Sequence, residues 1–259
     1  MTVHDVAHLA LPDIFTGVQR AYGRLMFQMV RHKAAEILFV SRFSQKEFLR
    51  RVGAPRGGMT VAHNGVDGEW FALSPAAGPE RPPYFLALGN IKPHKNIRLL
   101  CQAFAMIAEK CDASLLLVGE FAGFRSREDP AGLGAACDRI HFTGVMEQAD
   151  LLRLVRGASA LVFPSRYEGF GLPPLEALAA GIPVVAADIA PVREVCGTHP
   201  RYFSPDSAEQ CAQCLLETLA LPAGARRARG EAGRAHARHF TWETSAGITA
   251  RVLERGLGV

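Results

Sequence analysis

The 259-residue chain has no apolar run approaching the ~18 residues needed to cross a bilayer. It has no strong charge of one sign. Lys and Arg total 29 against 25 Asp and Glu, a balance of +4 that is too weak to argue for nucleic acid. Its opening residues, MTVHDVAHLALPDIF, lack the basic and apolar blocks of a signal peptide. Cysteine is sparse and scattered (Cys101, Cys111, Cys137, Cys196, Cys211, Cys214), which reads as reduced thiols of a cytosolic protein. Cys211 and Cys214 form a CxxC, but inside the helical stretch AEQCAQCLLETLA. A redox pair belongs just after a strand, at a helix start, so this one reads as two small residues on a helix face. The nine histidines show no metal-ligand spacing, and there is no internal repeat or low-complexity tract. What is present is a core: 49% of residues are apolar, enough for one to two folded domains.

The middle of the chain alternates short apolar runs with helical periodicity. Strands are predicted at Tyr84–Leu88, Leu115–Val118, Ile140–Phe142, Leu161–Phe163, Val184–Ala186 and Arg201–Phe203. Ile97, Leu100, Phe104 and Ile107 share one helix face, and further helices are expected near Ala149–Arg156, Pro174–Ala180 and Ala208–Ala220. Gly181 and Pro183 stop the helix at Pro174–Ala180. Continuous apolar strands alternating with helices imply a parallel sheet covered on both faces, hence an α/β, doubly wound domain. Upstream, Val3 ends a strand, Gly17–His32 is helical, and Ile37–Val40 and Met59–Ala62 are strands. Ser44-Gln-Lys-Glu47 reads as a capping box for a helix stopping at Gly53. That is half a doubly wound sheet, which leaves the apolar faces of Ile37–Val40 and Met59–Ala62, and the helix around Leu25–Val30, partly exposed or paired with another molecule. Residues 74–83 read as a linker, and Thr241 as the N-cap of a last helix. The expected division is 1–75, 76–238, and a helix in 239–259 that packs back on the first unit.

In a sheet of order 3-2-1-4-5-6, ligands bind beyond the carboxyl ends of strands 1 and 4, where the winding reverses. Counting from Tyr84, strand 1 runs into Gly89-Asn90-Ile-Lys92-Pro-His-Lys95-Asn96. Strand 4 runs into Pro164-Ser-Arg166-Tyr-Glu168-Gly169-Phe170-Gly171. The second loop suits an anion: its glycines admit close backbone approach, and Pro173 and Pro174 open a helix whose N-terminus favours phosphate. Lys95 can add a point charge from the opposite loop. Glu176, expected in the first turn of that helix, can accept hydrogen bonds from ribose hydroxyls, and Glu168 lies nearer the other end of the ligand.

Glu168-Gly-Phe-Gly-Leu-Pro-Pro-Leu-Glu176 resembles the E-x7-E signature of retaining GT-B-fold glycosyltransferases of the family 4 type. The continuation Ala177–Val185 is similar too, as are Ser41-Arg-Phe-Ser44, Asn64-Gly-Val-Asp67, Lys95-Asn96, Phe142-Thr-Gly-Val145 and Phe240-Thr-Trp-Glu243. The resemblance implies transfer of a sugar from a nucleotide diphosphate donor to a saccharide or lipid-linked acceptor, with retention at the anomeric carbon. By that likeness Glu168 and His4 are the catalytic candidates. Lys95 meets the diphosphate, and the Gly169–Phe170–Gly171 amides meet phosphate or sugar. Glu176 holds the ribose, Val145 lines the base pocket, and Asn90 stands where such enzymes carry Arg or Lys. Lys92 or Arg166 are the substitutes for that missing charge.

No Asp-x-Asp triplet occurs, so neither a metal nor any other cofactor is expected beyond the donor itself. Such enzymes have two full doubly wound domains, so the chain reads as a fragment or as completed by another chain. The alternatives are a nucleotide-sugar-binding remnant without activity and a GT-B-type epimerase. Arg20–Lys33 mixes cations with apolar residues. It reads either as a helix with one packed and one solvated face or as a peripheral contact with the inner membrane face of a cytoplasmic protein. Arg226–Arg238 reads as a solvated helix face.

Overall fold

The computed structural model describes residues 1–73, 82–89, 92–120 and 136–257. Its first part runs β1 (Thr2–Val3), α1 (Ala7–Ala10), α2 (Gly17–Lys33), β2 (Glu36–Phe39), α3 (Arg42–Arg51), β3 (Gly58–Val61) and α4 (Gly68–Ala72). The three strands form a parallel sheet in order β1-β2-β3.

Then follow β4 (Tyr84–Leu88), α5 (Ile97–Ala105), β5 (Ser114–Val118), β6 (Ile140–Gly144), α6 (Gln148–Gly157), β7 (Ala160–Phe163), α7 (Leu172–Ala179), β8 (Val184–Ala187), α8 (Ala190–Cys196), β9 (Arg201–Phe203), α9 (Ala208–Leu219) and α10 (Ala223–Ala237). These six strands form a second parallel sheet, β6-β5-β4-β7-β8-β9. In the local count that is 3-2-1-4-5-6, with the reversal between β4 and β7. Both its faces are covered, which is why Phe85, Leu86, Leu115, Leu117, Leu161, Val162 and Phe163 are all buried. Each such side chain contributes roughly 1.5–3 kcal/mol of apolar burial. The fold is α/β with parallel sheets throughout. Cys211 and Cys214 lie within α9, and Cys214 Sγ approaches the Tyr202 carbonyl of β9 at 3.7 Å.

The last helix, α11 (Trp242–Leu257), starts after Thr241, whose Oγ1 accepts from the Thr244 amide at 3.1 Å. It returns to the first sheet, where Val252 and Ile248 pack on Leu38 and Ala62. On the other face Ile37 and Phe39 meet Val30, Phe48 and Val52. The expected exposure of Ile37–Val40 is therefore wrong, because β2 is central and covered on both sides. Met59 on the edge strand and Leu25 and Met29 on α2 are exposed.

Two other readings change. The cap of α3 is Ser41, three residues before the expected one, and its Oγ accepts from the Ser44 amide at 2.9 Å. Glu47 does not reach back to the helix start; it pairs with Arg50 and Arg51 instead. The basic run 226–238 is not simply a solvated face. Arg226 donates to the Ser159 and Thr218 carbonyls at 2.6 and 2.8 Å, and Arg234 to those of Leu73 and Phe71. Burial lowers the Arg226 pKa. Gly230 lies so close to the Gly181 carbonyl that a Cβ would collide with it. The predicted linker lies largely outside the described residues.

Candidate functional site

The loops after β4 and β7 meet at the reversal point. The Arg166 amide donates to the His94 carbonyl at 2.8 Å. The Asn96 side-chain amide donates to the Pro164 and Pro205 carbonyls at 3.2 and 2.9 Å. Asn96 itself sits at φ 57°, the left-handed conformation that Asn tolerates, and so joins the short turn Pro93–Lys95 to α5. Between the two loops Lys95 Nζ donates to Glu168 Oε1 at 2.7 Å. Their side chains are 21% and 17% exposed, and the ammonium stands 5.7 Å from the Phe163 ring centroid. His94 beside them is half-buried. Burial pushes its imidazole below the ordinary range despite the Glu168 charge, and its Nδ1 has no hydrogen-bond partner.

The β7 loop leads into α7 through Gly171, at φ +111° and N-cap of the helix, where an L side chain would be strained. Pro173 and Pro174 are its second and third residues, and Leu175 packs it into the core. Glu176 is the fifth residue, one step beyond the first turn in which it was expected. Its carboxyl is pushed up to about 7, first by burial and then by the charges of Asp67 and Glu69. Those two acids come from the start of α4, at the Asn64-Gly-Val-Asp67 motif. Asp67 accepts from Trp242 Nε1 at 2.8 Å, and Glu69 from Gln148 at 2.7 Å.

His4 follows β1, and its side chain is exposed. Its backbone reaches the β7 loop directly: a Cβ on Gly169 would collide with the His4 carbonyl oxygen. The structure thus gathers Lys95, Glu168, Gly169 and the His4 backbone. Phe170 is buried against His63 and Phe240, with ring centroids 5.9 and 6.2 Å away. Val145 stands just past β6, two strands from β4, and is exposed. Asn90 lies outside the described residues. Arg166 faces Asp206 at 3.0 Å in an exposed pair, and Lys92 is exposed.

Sequence reasoning missed the seam around these residues. Ser41 Oγ donates to the Gly169 carbonyl at 2.6 Å, and Ser44 Oγ to the His4 carbonyl at 2.8 Å. Glu194 on α8 accepts from the first two amides of α3, Arg42 at 2.7 Å and Phe43 at 2.9 Å. It also meets His63 Nε2 at 2.9 Å. Burial alone would raise the Glu194 pKa; the bonds from His63 and the two amides outweigh it and hold the carboxyl low. The quoted Ser41-Arg-Phe-Ser44 run was the available signal for part of this seam.

The family profile described as "Glycosyl transferases group 1" matches residues 72–236, more than half of the chain. The chain belongs to this family. Relatives among glycosyl transferases include the O-antigen chain mannosyltransferase B of Escherichia coli. It is 29% identical over 256 residues, which cover 93% of this chain and 66% of that protein. The MMP alpha-(1->4)-mannosyltransferase of Mycolicibacterium hassiacum is 28% identical over 244 residues, 93% of this chain and 59% of that one. The chain therefore spans about six-tenths to two-thirds of the length of these curated relatives. Among solved structures, sucrose-phosphate synthase from Thermosynechococcus elongatus superposes with a TM-score of 0.82 at 25% identity. The superposition covers 99% of this chain and 67% of that one. The Anabaena protein HepE, solved in complex with UDP and glucose, superposes at 0.77 with 18% identity, over 100% and 71% of the two chains. Both share the GT-B fold.

Proposed function

We propose that this member of glycosyl transferases group 1 moves a sugar from a nucleoside diphosphate donor to a saccharide or lipid-linked acceptor, retaining the anomeric configuration. The observation that carries the reading is the Lys95–Glu168 pair at the winding reversal, beside the N-terminus of α7. Residues 1–75 serve the acceptor, residues 76–238 hold the donor, and the helix in 239–259 ties the two. Lys95 turns from Glu168 to the diphosphate, together with amides of Gly169, Phe170 and Gly171. Glu176 accepts the ribose hydroxyls, Asn90 and Val145 border the nucleotide, and Glu168 and His4 face the sugar.

As the anomeric carbon–oxygen bond breaks, charge builds on the leaving diphosphate. Preorganised donors stabilise it there without needing to reorient. The acceptor hydroxyl attacks from the same face and passes its proton to the leaving phosphate oxygen. Glu168 is no covalent nucleophile in this scheme, and no divalent ion is needed; EDTA should leave donor binding unchanged.

α2 contains no acid between Gly17 and Lys33 and exposes Val18, Tyr22, Leu25 and Met29 at spacings of four, three and four. That charge and that stripe suit an anionic lipid surface carrying the acceptor, which co-sedimentation with anionic vesicles tests. No helix among the described residues is long and apolar enough to cross a membrane.

A thermal-shift screen with UDP, GDP, dTDP and ADP tests the donor reading. A ligand at a hundred times its Kd adds about 2.7 kcal/mol to stability. A clear shift for one base is expected, with GDP-mannose the first donor to try given the mannosyltransferase relatives. No shift with any nucleotide would overturn the reading.

A further inference from the structure

The hydroxyls of Ser41 and Ser44 reach across from the N-terminus of α3 to a backbone carbonyl in the loop assigned to the donor. Ser41 Oγ accepts from the Ser44 amide, and its one proton has the Gly169 carbonyl at 2.6 Å and Ser44 Oγ at 3.0 Å within reach, the carbonyl being the nearer. Ser44 Oγ lies 2.8 Å from the His4 carbonyl and 2.9 Å from that of Gly169, and its one proton serves these two. Both serines are fully buried. The remaining free amides at the start of α3, Arg42 and Phe43, are taken by Glu194. The start of α3 is thus clamped to the β7 loop on one side and to α8 on the other.

A planar trans peptide turns its N–H opposite to its C=O. The oxygen of the Gly169–Phe170 peptide is fixed against α3, so the Phe170 N–H is fixed in the opposite direction, away from the serines. Gly169 must lack a Cβ for the loop to sit this close to His4.

We propose that Ser41 and Ser44 are positioning residues for the donor: by holding the Gly169 carbonyl they aim the Phe170 amide at the donor phosphate. Donor affinity then depends on the acceptor-side unit being docked. This rests on the donor reading given above. Neither serine touches the donor itself.

The test uses the whole chain and the variants S44A, S41A/S44A and S41T/S44T, with UDP and GDP as probes. Two quantities are read: the melting temperature and the nucleotide Kd by calorimetry. Removing the hydroxyls should weaken the nucleotide about fivefold or more in the variants that stay folded. Threonine, which keeps the hydroxyl and the cap, should restore the affinity. S44A leaves the α3 cap in place, so it reports even if the double variant unfolds. A purely structural role predicts a lower melting temperature with unchanged Kd in the folded variant, and that result overturns the proposal. If the parent itself binds no nucleotide, the donor reading fails first and takes the proposal with it. Binding by the parent with equal binding by the variants sinks the serine role alone.

Discussion

Glu176→Gln isolates a buried carboxyl whose cost follows from its surroundings. Its pKa rises from 4.5 to about 7 on folding, chiefly through burial and then through Asp67 and Glu69. The folded state therefore holds a proton that the unfolded state has released. Stability is full below about pH 4.5, is lost as the pH climbs to about 7, and stays flat above that. A shift of about two and a half units corresponds to roughly 3 kcal/mol at most. Glutamine has no charge to desolvate. The variant should match the parent near pH 4.5 and exceed it by ~2–3 kcal/mol at pH 8, read from urea melts at the two pH values. Nucleotide binding moves the other way. If the carboxylate accepts the ribose hydroxyls, the variant loses roughly tenfold in affinity, and binding by the parent near pH 6 releases protons to the buffer. A stability difference that is the same at both pH values would refute the electrostatic account of this site.

Three further outcomes are expected. Glu168→Gln frees Lys95 from its 2.7 Å partner. Nucleoside diphosphate should then bind roughly three- to tenfold more tightly by calorimetry while sugar transfer falls; weaker binding would place Glu168 at the phosphate. Lys95→Ala should weaken the same ligand roughly tenfold or more, and parent-like affinity would remove Lys95 from the site. Gly169→Ala puts a methyl onto the His4 carbonyl, so it should lower the melting temperature by several degrees and impair nucleotide binding. A fully parental melt would show that the two units do not meet there in solution.

The second sheet was readable because its strands are buried on both faces and announce themselves as unbroken apolar runs, Phe85–Ala87 and Leu161–Phe163 among them. Strand order then placed the two glycine-bearing loops together with no side-chain information. The α3 cap was harder. Ser41-x-x-Ser44 and Ser44-x-x-Glu47 both fit cap spacing, and only the fold shows that Glu47 is drawn away to Arg50 and Arg51. Glu194 had no local signal at all, since Val192–Val195 reads as one turn of an ordinary helix. Its partners lie about 150 residues earlier in the chain. Arg226 and Arg234 misled for the opposite reason. Their long stems let guanidinium groups reach inward to carbonyls from a helix that composition alone labels as solvated.

The two parts of the chain are joined by apolar and polar contacts together: Val40, Val66 and Trp70 of the first part lie in the same buried cluster as Phe85 and Phe163. Within each sheet the contacts are large apolar side chains, in separate clusters around Phe39 and Phe48 and around Phe85 and Phe163. At the mouth of the site the partners are hydroxyls, a carboxylate, an imidazole and backbone carbonyls. The neutral hydrogen bonds among these are worth about 0.5–1.5 kcal/mol net and those to the Glu194 carboxylate about 1.5–3 kcal/mol, because water replaces them when they break. Apolar cores have no such substitute and stay shut. The polar part of this seam fixes one register, while the shared burial of Val40, Val66 and Trp70 holds the two parts together. A transferase must admit a charged donor and then exclude water from it. The aromatic contact of Phe170 with Phe240 and His63 lies on the same seam, so the residue between Gly169 and Gly171 carries any movement of the seam into the loop that faces Lys95.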